Sequence, residues 1–491
     1  MRSASRLLAA ALLLTVLTRL VFILLPRVPL ETRAVASIGD SREYVTLAYN
    51  LVSSHTFTRD TAPPFRPELF RTPGYPLLLA IPFALFGPSL IWPLLLQLLL
   101  SIATVWLTRR LGLELGLAPM SAGLAALFVA LSPNLAFLSS KLISEALFIP
   151  MLLVCVLLLN RHRLTGRTRD LVGTGVCSGL LVLTRPIATF FPLVIAAYLL
   201  WLARGQRLIV HRSSLIAPLI LLACSSIVIA PWVIRNGQKT GRYIISTASE
   251  HNIYLYDAAT VLASEKGITI PQARDSMMAE AQAEFGPIDT TDEATMWQKL
   301  SAVARSHFFR RPALAAPVWL FGVFADFLNP ISVGPLLIHA GSSPAPGSAN
   351  LLQSSLALLT KGKVTQAFST AWRVRVGGAP LFILVVLACA ALFNLILIWF
   401  GFASLFLRRT RGLLWLLLPI LYFTLVTGTV GDARFRAPIE PLLCLFAAVA
   451  LIRPPRTKAA RLYAPPSDGT PGQDDGSCSI GLARPKATRR A

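Results

Sequence analysis

Apolar runs, each close to the thickness of a bilayer's hydrocarbon core, recur along the chain and restrict its fold more than any other feature. Crossing such a core takes about 20 residues at helical rise. The strongest runs are Leu7–Leu25, Leu90–Leu107, Ala118–Leu138, Leu142–Leu159, Leu171–Leu183, Ile187–Leu202, Leu215–Ile234, Pro380–Leu407, Leu413–Thr427 and Ala437–Ile452. Each must satisfy its own backbone in lipid, so they can only be helices. A chain with 54% hydrophobic and 14% charged residues and a mean hydropathy of +0.63 is not a soluble globular protein. The expectation is an all-α polytopic membrane protein with about ten transmembrane helices, a count of eleven to thirteen remaining open.

The net charge of +23 would suit nucleic acid if it were gathered on one face. It is dispersed instead over Arg2 and Arg6, Arg109-Arg110, Arg161 to Arg169, Arg204 to Arg212, Arg408 to Arg411, and the tail from Arg453. Short basic loops stay cytoplasmic, and threading ten spans from a cytoplasmic N-terminus puts every cluster inside. No nucleic-acid partner is expected. The chain reads as integral to a bacterial cytoplasmic (inner) membrane. Leu7–Leu25 is a span rather than a signal peptide, because no small-residue cleavage site follows before Pro26-Arg27. Of 23 acids, only Glu114, Asp170, Asp468, Asp474 and Asp475 fall inside, so carboxylates gather on the outer face. Cys155, Cys177, Cys224, Cys389 and Cys444 lie in spans and Cys478 in the tail, which leaves no outer disulfide framework.

Four regions follow. Residues 1–235 form an N-terminal transmembrane module whose first outer loop is 26–73. Residues 236–378 form a partly helical extracytoplasmic segment, 379–452 the C-terminal transmembrane helices, and 453–491 a disordered basic cytoplasmic tail. In the first loop, Tyr44, Leu47, Ala48 and Leu51 fall at helical spacing, predicting an amphipathic helix lying on the membrane. Gly74 to Phe86 is predicted as an interfacial or half-inserted helix, Ile270 to Phe285 as a soluble helix and Leu314 to Leu328 as an interfacial one. Ser342 to Ser348 is a Pro/Gly/Ser loop. No internal repeat supports an inverted-repeat transporter.

Chemistry-bearing residues collect at the outer ends of the spans. Asp40, which also has the sequence context of a helix N-cap, shares its stretch with Arg42, Glu43 and Tyr44. Arg71 and Tyr75 close the same loop, Ser144-Glu145 opens a span, Arg185 precedes Pro186, and Arg434 and Arg436 precede the last span. Outer loops should be poor in arginine. A planar guanidinium fork kept at headgroup depth suits an anionic phosphate, so Arg71, Arg185, Arg434 and Arg436 are candidate phosphate-binding residues. An ionised Asp40 could take a proton from an acceptor hydroxyl. Asp40 and Glu145 together could share a divalent cation or divide the work of base and orienter. Tyr44 and Tyr75 are candidate substrate contacts. His55, His251, His307 and His339 lack ligand spacing and read as loop residues.

These motifs resemble the GT-C superfamily of membrane glycosyltransferases, in the branch of the protein O-mannosyltransferase-like enzymes and the lipid A aminoarabinose transferase. The resemblance runs through Asp40…Tyr44, Ala48-Tyr49-Asn50-Leu51, Arg71-Thr72-Pro73-Gly74-Tyr75-Pro76, Ser144-Glu145 and Thr184-Arg185-Pro186. It continues in Ala230-Pro231-Trp232-Val233-Ile234-Arg235-Asn236 and Arg434-Phe435-Arg436-Ala437-Pro438-Ile439-Glu440-Pro441. It implies inverting transfer of a sugar from a polyprenyl-phosphate donor to a protein, lipid or glycan acceptor on the outer face. By that similarity Asp40 is the catalytic carboxylate, Arg71 contacts the donor phosphate, and Glu145 has a supporting or metal role. Ser41 stands where many relatives carry a second acid, so no two-carboxylate metal site is expected within this loop alone. The alternative, a transporter or flippase of a lipid-linked saccharide or phospholipid, would need polar groups along the spans, and these look nearly bare apart from Gln97 and Asn394.

Overall fold

A computed structural model describes residues 2–24, 28–31, 34–35, 38–205, 212–339, 363, 365–366, 369–370, 381–429 and 431–452. The loop and tail expectations for 342–348 and 453–491 lie outside these residues. The regular elements are helical throughout: α1 (Arg2–Leu24), α2 (Gly39–Ser53), α3 (Gly74–Phe86), α4 (Ile91–Glu114), α5 (Pro119–Leu131), α6 (Pro133–Leu138), α7 (Glu145–Thr165), α8 (Thr168–Thr184), α9 (Phe191–Gly205) and α10 (Arg212–Thr240). Then come α11 (Ala248–Asn252), a π turn (Ile253–Ala258), α12 (Ala259–Lys266), α13 (Ile270–Phe285), α14 (Glu293–Phe309), α15 (Pro312–Leu328) and α16 (Val333–His339). The described chain ends with α17 (Leu381–Leu405), α18 (Leu417–Val426), α19 (Ala433–Arg436) and α20 (Glu440–Leu451).

The protein is an all-α, integral, multi-pass membrane protein. Among the described residues, six stretches are long and apolar enough to cross: Ala4–Leu24, Ile91–Glu114, Glu145–Thr165, Pro186–Ala203, Leu215–Thr240 and Leu381–Leu405. α14 and α15 reach that length and apolarity only when taken together, and they are bent by 100° at the break between them. At the remaining predicted spans stand shorter helices: α5 with 13 residues, α8 with 17, α18 with 10 and α20 with 12. Proline explains one shortening. Pro133 offers no N–H to Val129, so α5 stops and a separate α6 begins.

That break also accounts for a buried charge the sequence reading passed over. Arg19 of α1 donates to the carbonyls of Val129, at 3.2 Å, and Ala130, which the break leaves without full helical partners. Glu440 of α20 accepts from Asn134 Nδ2 at 3.0 Å and from Ser132 Oγ. The spans are therefore not as bare as their composition suggested, but these polar groups are tied to backbone and to one another. Elsewhere small residues bring helices close. A Cβ on Gly175 would stand 2.8 Å from Leu221 O, and one on Gly179 2.8 Å from Ser225 O, so α8 lies directly on α10. Ser178 and Ser225 share a hydrogen bond of 2.6 Å across that seam.

α2 is amphipathic, with Tyr44, Leu47 and Ala48 buried and Tyr49 exposed. Its Tyr44 and Ala48 are buried against Tyr75, Leu79 and Phe83 of α3, which is apolar all round and offers that face a dry partner. α13 spans Ile270–Phe285 as expected. Three histidines are not loop residues: His251 sits in α11, His307 in α14 and His339 at the end of α16. His339 is buried, its Nε2 2.9 Å from Phe22 O and its Nδ1 2.5 Å from Lys141 Nζ. At one end of α7 stands Glu145; at the other Arg161 pairs with Glu114 at 2.6 Å. Sixteen helical steps along α7 separate Glu145 from Arg161 by about 24 Å.

Candidate active site

Four chain segments bring charged groups to the Glu145 end of the bundle. Asp40 occupies the first turn of α2, whose N-cap position is Ile38 with no side-chain cap bond. The N-cap role is thus absent, and the carboxylate is free to turn elsewhere. Arg71 is aimed by its own turn: the N–H groups of Phe70 and Arg71 both donate to the buried Glu68 Oε1, at 2.6 and 2.7 Å. Its guanidinium sits between two rings, 4.3 Å from Phe70 and 5.2 Å from Tyr44. Arg185 ends α8 in extended backbone, as a residue before proline must. Arg434 rides on the short α19, and its own N–H donates to the capping Asp432 Oδ1 at 2.8 Å. Gly431 precedes it with φ +61°, and a Cβ there would meet Ala325 Cβ at 2.8 Å, so glycine is required for this approach.

The groups interlock. Asp40 Oδ1 pairs with Arg71 Nη2 at 2.6 Å and Oδ2 with Arg434 Nη1 at 2.7 Å. Arg434 Nε pairs with Glu145 Oε1 and its Nη2 donates to Oε2 at 3.2 Å. Arg185 Nη1 stands 2.6 Å from Glu145 Oε1, and Arg71 Nε 2.5 Å from Glu43 Oε2. Three guanidiniums thus face three carboxylates. Burial alone would push the Asp40 carboxyl up, but Arg434 and Arg71 outweigh it and hold it well below the usual carboxylate range. Asp40 is an anion at any working pH. The same clamp makes it a poor proton acceptor.

These groups line or underlie a cleft of about 1050 Å³. Asp40, Glu43, Tyr44, Arg71, Arg185 and Arg434 contribute to its walls, with Glu145 just beneath. Two sequence candidates are placed elsewhere. Arg436 is buried and donates to the carbonyls of Asp326 at 2.8 Å and Asn329 at 3.0 Å, closing the C-terminal end of α15. It alternates with Arg434 on one helical turn, so the two point apart. Tyr75 is fully buried beneath Tyr44, and its hydroxyl donates to Gln97 Oε1 at 2.8 Å. Neither reaches the cleft. A divalent cation shared by Asp40 and Glu145 does not fit this arrangement either, because the Arg434 guanidinium already bridges the two carboxylates. Among the described residues no group of three or more His, Cys, Asp or Glu side chains could hold a metal.

Sequence reasoning missed Arg59, which pairs with Glu43 at 3.3 Å, with Glu293 at 2.9 Å and with Glu68. The excess of outer arginines that singled out Arg71 would have flagged it. Tyr243, His251, Tyr256 and Asp257 also line the cleft. They come from the segment after residue 236, where spacing carried no signal.

The comparisons with known proteins bear on the region that builds this site. Residues 70–234 match the model of the dolichyl-phosphate-mannose-protein mannosyltransferase family. That segment holds Arg71, Glu145 and Arg185 but neither Asp40 nor Arg434. No curated protein matches the chain significantly. Among solved structures, the chain is similar to the Archaeoglobus fulgidus oligosaccharyltransferase in its apo form, at 15% identity over 91% of this chain and 50% of that one, with a TM-score of 0.46. It is similar to AglB of the same organism in complex with an inhibitory peptide and a dolichol-phosphate, at 14% identity over 91% and 50%, with a TM-score of 0.47. ArnT from Cupriavidus metallidurans bound to undecaprenyl phosphate matches at 12% identity over 80% of this chain and 76% of that one, with a TM-score of 0.39. The chain spans about half the length of the archaeal proteins it matches. The family match covers residues 70–234, about a third of the chain, and includes three of the charged residues that line or underlie the cleft.

Proposed function

We propose that the protein moves a sugar, with inversion, from a polyprenyl-phosphate donor to a hydroxyl acceptor, on the extracytoplasmic face of a bacterial inner membrane. The observation that carries this reading is the clamp of Asp40 by Arg71 and Arg434 inside one large cleft. The family match adds the donor class, a sugar held on a polyprenyl-type phosphate.

The residues divide the task by charge. Arg71 and Arg185 keep N–H donors beyond those engaged by carboxylates, and a guanidinium has five. Those donors suit the donor phosphate and the charge that grows on it as the glycosidic bond lengthens. Asp40, held anionic, stabilises the positive charge that develops on the sugar ring. Glu145 holds Arg434 and Arg185 in register. Ile187, Phe190 and Val426, which line the cleft, supply apolar surface suited to a lipid-borne substrate. A transporter or flippase is disfavoured because the polar groups inside the bundle are tied up with carbonyls and one another.

The test is transfer from radiolabelled polyprenyl-phosphate mannose by the purified full-length protein, with peptide, lipid and glycan acceptors compared. Asp40→Asn should lower transfer by about 10²–10³-fold with donor binding retained. Unchanged transfer by Asp40→Asn would remove Asp40 from the mechanism.

A further inference from the structure

The cleft is also lined by residues of a different chemistry. Tyr243 lies against Gly237: a Cβ at that glycine would come within 2.4 Å of Cδ1 and Cε1 and 2.7 Å of Cζ of the ring. Three ring atoms at nearly one distance mean the ring rests on the glycine, which leaves it no bulkier neighbour there. Tyr243 nevertheless remains 69% exposed and lines the cleft. Tyr256, 39% exposed, lines it from the π turn Ile253–Ala258. Such one-turn π insertions redirect side chains and recur at functional sites. The same turn brings Asp257 to the cleft, its Oδ1 accepting from Thr429 Oγ1 at 2.6 Å. Gly428, with φ +66°, lets the 427–429 loop pass so close that a Cβ there would stand 3.3 Å from this carboxylate.

Exposed aromatic faces beside a carboxylate suit a pyranose, whose C–H face packs on a ring while its hydroxyls donate to the acid. Arg71, Arg185 and Arg434 line the same cleft. A cleft of about 1050 Å³ is at the top of the usual range of roughly 300–1,000 Å³ for one small ligand, so a donor headgroup and a second sugar can lie side by side. Asp257 also differs from Asp40 in kind. Burial pushes its carboxyl up, only partly opposed by the Thr429 hydrogen bonds, and among the described residues no arginine clamps it. Two carboxylates whose surroundings push them apart in this way divide into a fixed anion and a proton acceptor.

We infer that the part of the cleft lined by Tyr243, Tyr256 and Asp257 is the acceptor subsite, that it takes a pyranose-bearing acceptor, and that Asp257 receives the proton of the hydroxyl being glycosylated. The inference deepens the proposed transfer and rests on it. The bond between the anomeric carbon and the phosphate oxygen breaks with its electron pair going to the phosphate. The acceptor oxygen bonds to that carbon, and its proton passes to the Asp257 carboxylate and then to water.

Two readouts on the full-length protein in lipid nanodiscs test it. Saturation-transfer NMR with methyl α-mannopyranoside and methyl α-glucopyranoside reads the subsite without catalysis. At least one should bind the wild type. Tyr243→Ala should weaken that binding about tenfold or more, while Tyr243→Trp keeps it and polyprenyl phosphate binding is unchanged in both. Asp257→Asn should keep saccharide binding within about threefold and lower transfer from polyprenyl-phosphate mannose by about 10²-fold or more. Wild-type protein that binds neither saccharide, Tyr243→Ala that binds as wild type, or Asp257→Asn that transfers as wild type overturns the inference. If polyprenyl phosphate fails to bind while the saccharide binds in a Tyr243-dependent way, the donor reading falls and the saccharide subsite stands.

Discussion

Arg434 does work that no lysine could do. Its Nη1 holds Asp40 while Nε and Nη2 hold Glu145, so one planar group spaces two carboxylates that would otherwise repel. Arg434→Lys keeps the charge and loses the fork. The expected outcome is folded protein with transfer reduced about 10²-fold, checked by transfer assay beside thermal melting. Arg436, two residues on, behaves in the opposite way. It closes the end of α15, so Arg436→Leu should cost about 3–5 kcal/mol of stability by orphaning buried carbonyls and Glu440. Polyprenyl phosphate affinity of the protein that remains folded should be unchanged, as measured by binding at a temperature below the lowered melt.

At the scale of elements, the site depends on helices meeting at small residues. A Cβ on Gly74 would come within 2.8 Å of both Leu183 O and Thr184 Oγ1, so α3 starts directly against the end of α8. Arg71 lies just before this contact and Arg185 just after it. Gly74→Ala must push the two segments apart, with a strain cost of about 1–3 kcal/mol. The expected result is weaker polyprenyl phosphate binding with a modest drop in melting temperature. Unchanged affinity would show that the two arginines act independently. Arg59 makes a second tie, joining α2 through Glu43 to the start of α14 through Glu293. α2 is thereby tied to the segment after 236 through Arg59.

The whole molecule should show the Asp40 clamp in its acid stability. The carboxyl is held below its unfolded value of about 3.9. Its contribution is therefore complete above about pH 4 and is lost as acidification passes through the lowered native value. Melting temperatures of the wild type should fall more steeply below pH 4 than those of Asp40→Asn, in detergent at constant ionic strength. Equal slopes would mean that the ion pairs contribute nothing net to folding.

Membrane residence, the all-helical class and the collection of acids and arginines near span ends were legible from local pattern, since hydropathy and charge act over one helix at a time. The resemblance carried by Arg71-Thr72-Pro73-Gly74-Tyr75-Pro76 was legible too, and lies within the matched segment. Local pattern did not reveal that Pro133 would end α5 and call Arg19 to its carbonyls, because that pairing joins residues 110 or more apart. Nor could it separate Arg434 from Arg436: both fit an anionic headgroup, and only packing against α15 turns one away. Asp257 and Tyr243 carry no motif at all, and their role depends on Gly428 and Gly237 letting backbone and ring approach. Sequence alone decided which groups are available at this level of the membrane. Tertiary structure decided which of them face one another, because that choice rests on helix contacts and loop returns between distant parts of the chain.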